Sequence, residues 1–507
     1  MAASRDERSP NLSGSTVVRI NTRLRTMNYL LIISLIFIGC GPMIVELARS
    51  RFDIFNLKNT FILYYVLQLG ISGIFTFVGG VPASFSIDPA QHPDKYIKAL
   101  LLANVGLIFF QIGYYLTSRR PLAIPRLMKF EWISGRTEIL VFSWFLLGYT
   151  AFFLLITTNG GFTVFLADRE AFRAGGMVGQ GFLIFPATAI LALAAMIYLV
   201  KSLNRRCGNN RPSWMQFLVL ALAVTPAYFL GFRSLLLLPV LQFMVTWNYG
   251  YRRISTLPLL GSGIVILIAF TAYGIGRAIP SGVSLNLETV GIAVAENPEI
   301  AYTLISRSKG TEVFATVIEN LDRTSNYQLG WRSIVESLTI LIPRSIWPDK
   351  PDAMSQQFTT YFFGDALALS RGYQMDAWGG ISPTAAAEFY WHFGSAGICI
   401  GMLFLGSLAR RIYSTLIYHR KNKAVLILYS LIFVTFSMFA EAMQGYVNTL
   451  VMHIPIIIAS LMILTIPMYS NKRGRVNSTV ATTGRGERAK SSVSKSVSQV
   501  EPGSWQR

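Results

Sequence analysis

Two carboxylates in the second half of the chain are placed to do acid–base work. Asp376 and Glu388 flank the run Trp378-Gly379-Gly380-Ile381-Ser382-Pro383-Thr384, and a carboxylate held at a membrane surface can serve as general base toward a sugar hydroxyl. Glu388 is the better placed, because Phe389-Tyr390-Trp391 follow it directly and such rings stack on sugars or anchor at a bilayer interface. Trp378, Tyr390, Trp391 and His392 therefore make up a candidate sugar-binding set. The competing readings are plain ones: loop carboxylates are commonly solvated or cap helices, and an interfacial histidine is commonly structural.

A second set is cationic. Arg169 and Arg173 lie in Ala167-Asp168-Arg169-Glu170-Ala171-Phe172-Arg173-Ala174-Gly175-Gly176, and Arg233 follows Gly231-Phe232. Arg277 ends a long apolar run, and Arg344 and Lys350 belong to Ile342-Pro343-Arg344-Ser345-Ile346-Trp347-Pro348-Asp349-Lys350-Pro351. Planar guanidinium groups bind phosphates bidentately, so the set is a candidate site for a lipid pyrophosphate. The alternative is that these cations snorkel to lipid headgroups or pair with Asp168, Glu170 and Asp349. No P-loop, dinucleotide-binding glycine fingerprint or metal-ligand spacing accompanies them. Cys40, Cys207 and Cys399 lie far apart, two of them in apolar runs, and read as packing residues. No metal and no cofactor is expected.

The elements that must hold these residues are set by composition. Of 507 residues 52% are hydrophobic and 14% are charged, against about 25% charged in ordinary soluble proteins. The net charge of +20 does not point to nucleic acid, because the basic residues gather in short loops and tails, the positive-inside pattern of membrane proteins. A bilayer crossing needs about 20 apolar residues. By that criterion the chain has about eleven transmembrane helices, near 27–47, 60–80, 98–117, 138–158, 181–201, 213–230, 234–248, 257–277, 393–409, 424–440 and 448–469. The expected fold class is an all-α polytopic membrane protein. It divides into a polar N-terminal segment (1–26), a first set of spans (27–278), one large external loop with short helices (279–392), C-terminal spans (393–469) and a disordered basic tail (470–507).

Basic clusters orient the spans. Arg119 to Arg136, Lys201 to Arg211, Arg252 with Arg253, and Arg410 to Lys423 mark cytoplasmic loops. Residues 213–248 must then be two spans that turn at Gly231-Phe232-Arg233 on the external face. The two criteria disagree over Met1: an odd span count with an internal tail puts it outside, while Arg19, Arg23 and Arg25 argue for inside and Arg49 and Arg51 against. No Asp, Glu, Lys or Arg falls at the middle of a span; Glu46, Arg233 and Glu441 lie near ends. Ion-coupled transporters place such groups near the midplane, so a transporter is the weaker reading. His453, in the last span, reads as a hydrogen-bonded core histidine, and Gly397-x-x-x-Gly401 as a small-residue helix contact.

Two loop patterns carry a resemblance. Ile342-Pro343-Arg344-Ser345-Ile346-Trp347-Pro348-Asp349-Lys350-Pro351, and then Ile381-Ser382-Pro383-Thr384-Ala385-Ala386-Ala387-Glu388-Phe389-Tyr390-Trp391-His392-Phe393-Gly394-Ser395-Ala396-Gly397, resemble the O-antigen polymerase family, the oligosaccharide repeat unit polymerases. The turn at Gly231-Phe232-Arg233 is similar too. The resemblance implies a multi-span inverting glycosyltransferase of the bacterial inner membrane, related to O-antigen ligases and active at the periplasmic face. Its substrate would be an undecaprenyl-pyrophosphate-linked oligosaccharide, transferred as a block onto a new lipid-linked repeat unit to build a surface polysaccharide. Arg233 and Arg344 would grip the pyrophosphate leaving group, Lys350 would support them, and Glu388 would orient or deprotonate the acceptor hydroxyl. The partners implied are the lipid-linked glycan, membrane lipids and a chain-length regulator. A ligase that passes finished glycan to another acceptor, and a flippase for lipid-linked sugars, are the alternatives.

Overall fold

The computed structural model describes residues 14–78, 89, 91–125, 128, 132–167, 180–203, 213–230, 233–255, 258–259, 261, 263, 310–330, 335, 339, 342, 346–347, 349, 357–363, 383–437 and 439–465. Among these the architecture is helical, and the β-type pairing is an isolated bridge between Trp132 and Thr465. In chain order the helices are α1 (Gly14–Ala48), α2 (Leu57–Val66), α3 (Ser72–Val78), α4 (Pro93–Leu116), α5 (Ser134–Thr158), α6 (Gly161–Ala167) and α7 (Gly181–Phe185). They continue as α8 (Leu191–Lys201), α9 (Trp214–Phe229), α10 (Arg233–Gly250), α11 (Gly310–Thr324), α12 (Ala385–His419), α13 (Lys423–Ser437) and α14 (Phe439–Leu464). Wider π-helical turns, Leu67–Ile71 and Pro186–Ile190, join α2 to α3 and α7 to α8.

Among the described residues six stretches are long and apolar enough to cross a bilayer: Thr26–Ala48, Pro93–Leu116, Gly135–Thr158, Gly181–Lys201, Ala385–His419 and Val447–Leu464. This is an all-α membrane architecture. Helices α9, most of α10, and α13 are apolar but shorter, although the sequence pattern gives each a full span. A helix rises about 1.5 Å per residue, so the 16 residues of α9 fall short of the roughly 30 Å hydrocarbon core. Helix α1 begins at Gly14, inside the segment expected to precede the first span. The span expected at 257–277 falls almost wholly outside the described residues.

The basic loops converge on one end of the bundle. The Leu122 amide donates to Thr415 Oγ1 (2.7 Å) and the Asn422 amide to the Met128 carbonyl (2.7 Å). Lys423 donates to the Lys201 carbonyl (2.7 Å), Lys201 pairs with Glu138, and Arg253 donates to the Phe52 carbonyl (3.0 Å). Helix α1 delivers its C-terminus to this same end, where Glu46 pairs with Lys58, while its Tyr29 hydroxyl reaches the Phe77 carbonyl (3.5 Å) near the opposite end. Arg49 and Arg51 thus share an end with the other basic loops, and the first helix starts from the other one.

Helices α4 and α12 form the central pair. A Cβ at Gly113 would collide with the Leu403 carbonyl, and one at Gly406 with the Phe110 carbonyl, so glycine lets the two backbones meet, as small residues do between membrane helices. Ser407 Oγ seals the crossing by donating to the Gly113 carbonyl (3.3 Å). Phe61 stacks on Phe110 (4.3 Å between centroids) and packs against Phe436 (5.8 Å), tying α2 and α13 to that pair.

Candidate functional site

The start of α12 is a short helical stub. Thr384 is extended and its side chain accepts from the Ala387 amide (3.2 Å), a helix N-cap. Eight residues after Thr384 helical geometry stops: Phe393 takes φ −140°, ψ 17° and Gly394 φ 63°, ψ −152°, the latter a region open essentially to glycine. The helix then resumes as the long apolar part. The sequence pattern starts the span at Phe393; the structure places a break there and gives Glu388–His392 to a helix rather than to a solvated loop. Gly397 and Gly401 make room for the stub itself, since a Cβ at Gly397 would meet the Phe389 carbonyl and one at Gly401 the Phe389 ring (2.5 Å). They were expected to receive a neighbouring helix.

Small residues let the stub sit close to α11. Ala385, Ala386 and Ala387 are fully buried, and a Cβ at Gly310 would lie 2.9 Å from Thr384 Cγ2. Helix α11 is amphipathic, with Val313, Phe314, Val317, Ile318 and Leu321 buried at helical spacing. Its first turn docks on the π turn between α2 and α3, where Thr311 Oγ1 donates to the Leu69 carbonyl (2.5 Å) and lies 3.1 Å from Ser72 Oγ. The wider π turn displaces carbonyls from their usual partners, and here a threonine from a distant helix takes one up. The junction encloses two carboxylates: Glu388 is 0% exposed and Glu312 7%.

Aromatic rings close the stub's other sides. Trp391 is 1% exposed, with Phe358 (5.4 Å) and Phe362 (5.2 Å) edge-on, and Tyr361 (6.1 Å) and His392 (5.9 Å) stacked. The ring is a packing surface here, not an open platform, and its indole N–H has no hydrogen-bond partner among the described residues. The Gln328 amide donates to the Trp391 carbonyl (3.1 Å). His392 is likewise buried. Tyr390 is held edge-on by Phe314 (6.0 Å) and Tyr327 (6.4 Å).

Beside Tyr390 sits a charge cluster that the sequence pattern does not single out. Lys98 pairs with Asp322 (2.8 Å) and lies 5.6 Å from the Tyr390 ring centroid. Lys95 pairs with Asp322 (3.0 Å) and Glu319 (3.2 Å), and the Tyr390 hydroxyl reaches Asp322 Oδ1 (3.5 Å). Partial burial works to raise the Asp322 pKa, but hydrogen bonds from Lys98 and Lys95 outweigh it and hold the carboxyl below its ordinary value. The discoverable signal was spacing: Lys95 and Lys98, like Glu319 and Asp322, are three residues apart and so share a helix face.

The basic end carries its own polar cluster, also unexpected from the sequence. Lys58, with no exposed surface, pairs with Glu46 and donates to the Tyr115 hydroxyl (3.0 Å). Asn59 donates to Glu46 (3.0 Å) and to the Asp53 carbonyl (2.8 Å). Asp53 Oδ2 accepts from the hydroxyls of Tyr249 (2.6 Å) and Tyr413 (2.9 Å), and Arg410 donates to the Tyr114 hydroxyl (3.2 Å).

Of the expected site residues, one stub brings Glu388, Tyr390, Trp391 and His392 together. Arg233 is the first residue of α10, and its side chain lies outside the description. Asp376, Trp378, Arg169, Arg173, Arg277, Arg344 and Lys350 lie outside the described residues. His453 is a hydrogen-bonded interior histidine, with Nδ1 2.6 Å from the Thr449 carbonyl. Among the described residues no group of His, Cys, Asp and Glu could hold a metal ion. No protein-family model matches the chain, and no solved structure matches it.

Proposed function

We propose that this protein is a membrane glycosyltransferase of the oligosaccharide repeat unit polymerase type, extending a surface polysaccharide by block transfer of a glycan from undecaprenyl pyrophosphate. The observation that supports this reading best is the enclosed carboxylate Glu388, set at the head of an apolar helix on the end of the bundle away from the basic loops. An enclosed carboxylate carries a large desolvation cost even when hydrogen-bonded. A stub selected for packing alone would put an apolar residue there, as it does at Ala385–Ala387. Glu388 is the acceptor-activating base. It takes the proton of the acceptor hydroxyl as that oxygen bonds to the anomeric carbon and the bond to the pyrophosphate oxygen breaks. The cations Arg233, Arg344 and Lys350, with Arg169, Arg173 and Arg277, are the groups assigned to stabilise the departing pyrophosphate. On this reading the basic end is cytoplasmic, the α11 end is periplasmic, and the membrane is the bacterial inner membrane. Because Glu388 is enclosed, the acceptor must part the stub from α11 to reach it.

The test is the glycan ladder on the cell surface. In a deletion strain complemented with Glu388→Gln or Arg344→Ala, with membrane expression confirmed, the expected product is a single repeat on an intact anchor. Complete loss of surface glycan would favour the ligase or flippase alternatives, and unchanged long chains would remove these residues from the site.

A further inference from the structure

Midway along the bundle α8, α10, α13 and α14 enclose a small cavity into which three polar side chains project: Gln242, Ser430 and His453. The rest of its lining is apolar. All three residues are more than nine-tenths buried, and they come from three different helices, so no local turn brings them together. Each has a definite hydrogen-bonding state. His453 Nδ1 lies 2.6 Å from the Thr449 carbonyl of its own helix; a carbonyl only accepts, so Nδ1 carries the proton and neutral Nε2, on the far edge of the ring, offers a lone pair. Ser430 gives its proton to the Ile427 carbonyl (2.8 Å) and keeps its oxygen lone pairs. Gln242 makes no hydrogen bond to any described residue, although its amide has two donors and an acceptor.

The cavity wall includes Ala189 from the π turn Pro186–Ile190, and the residue just before that turn, Phe185, packs edge-on against the His453 ring (5.0 Å). A π turn widens a helix by one inserted residue and recurs where a helix must make room for a site. Here it falls at the histidine and not elsewhere along that span. The space suits a molecule the size of water, and a bound water needs two to four polar partners.

We propose that this cavity is a built site for one water molecule, which donates to His453 Nε2 and bridges to the Gln242 amide. The direction is set by the groups: neutral Nε2 can only accept, so the water donates there, and it can accept in turn from the Gln242 N–H. This gives the Gln242 amide a partner, and it fixes the histidine as the neutral Nδ1–H form. No charged side chain lines the cavity, so nothing there would compensate an imidazolium.

Cryo-electron microscopy of the full-length protein in nanodiscs, at a resolution that shows ordered waters elsewhere in the bundle, decides the matter. The expected result is a non-protein peak within hydrogen-bond distance of both His453 Nε2 and the Gln242 amide. A cavity without density, or a direct bond between Gln242 and His453, would overturn the proposal. The nitrogen resonances of labelled histidine give a second measurement: Gln242→Leu should shift the non-protonated Nε2 signal of His453 while Nδ1 stays protonated, and an unmoved signal counts against the bridge. If that variant does not fold, the map of the unaltered protein still decides.

Discussion

The two ends of this bundle both bury charged groups, and they do so in opposite ways. At the basic end, Lys58 and Glu46 pair within a network of amides and tyrosine hydroxyls, and Asp53 joins α10 to α12 through Tyr249 and Tyr413. Asp53 lies in the turn between α1 and α2, so the network fastens that turn to α4, α10 and α12. At the other end the carboxylates belong to α11 and to the eight-residue stub of α12, and their lysine partners to the start of α4. There the ion pairs of Lys95 and Lys98 with Asp322 are partly exposed, and the enclosed groups are carboxylates. One end reads as a fastening and the other as a contact with partly exposed ion pairs, the kind that opens at lower free energy.

The comparison can be broken most severely at Lys58. Lys58→Met leaves Glu46 without its cation; Glu46 is 27% exposed, so the cost falls below that of a fully buried pair, on the order of 2 kcal/mol. Thermal unfolding in detergent should drop by several degrees, and the double replacement Lys58→Met with Glu46→Leu should recover most of the loss. Equal losses in the single and double variants would mean that the pair is not the fastening. An intermediate effect is expected at Gly394→Ala, because a side chain at that φ and ψ costs about 1–3 kcal/mol. Hydrogen exchange should rise in the stub and α11 while the 49–59 segment stays protected; uniform exposure of both ends would show them to be one cooperative unit.

The smallest effect concerns pH. The Asp322 carboxyl titrates lower folded than unfolded, so its contribution is complete above the unfolded value and is lost as pH falls through the folded one. Its side chain is 29% exposed, so the contribution is about 1 kcal/mol or less. Limited proteolysis of the 310–330 segment should speed up as pH is lowered below about 4, and Asp322→Asn should cut equally fast at all pH values. An unchanged acid response in Asp322→Asn would assign the loosening to other carboxylates.

The helical class and most span positions were legible because a bilayer imposes one rule on every crossing: the backbone must satisfy itself within an apolar run of sufficient length. That rule needs no knowledge of neighbours, so 27–47, 98–117, 138–158 and 181–201 could each be read alone and each holds a long helix. The pairing of basic loops at one end followed from charge alone in the same way. The lengths of α9 and α13 did not follow, because an apolar run shows where a helix can be and not where it must stop. Nor did the course of the first helix: charge counts gave two answers, and the contact between Glu46 and Lys58 places only its C-terminus, at the end that carries the basic loops.

Among the candidate site residues, sequence by itself determined that Glu388, Tyr390, Trp391 and His392 lie together, since neighbours in the chain stay neighbours in space. Tertiary structure alone decided their surroundings. Trp391 is enclosed by Phe358 and Phe362 rather than open, Tyr390 faces Asp322 and Lys98 from separate helices, and His453 meets Gln242 and Ser430 across the middle of the bundle. Composition and periodicity carry a residue's type and its helix face. Which faces meet depends on backbone approach at Gly113 and Gly406, the break at Gly394 and the two π turns, and such packing is settled between helices, not along them.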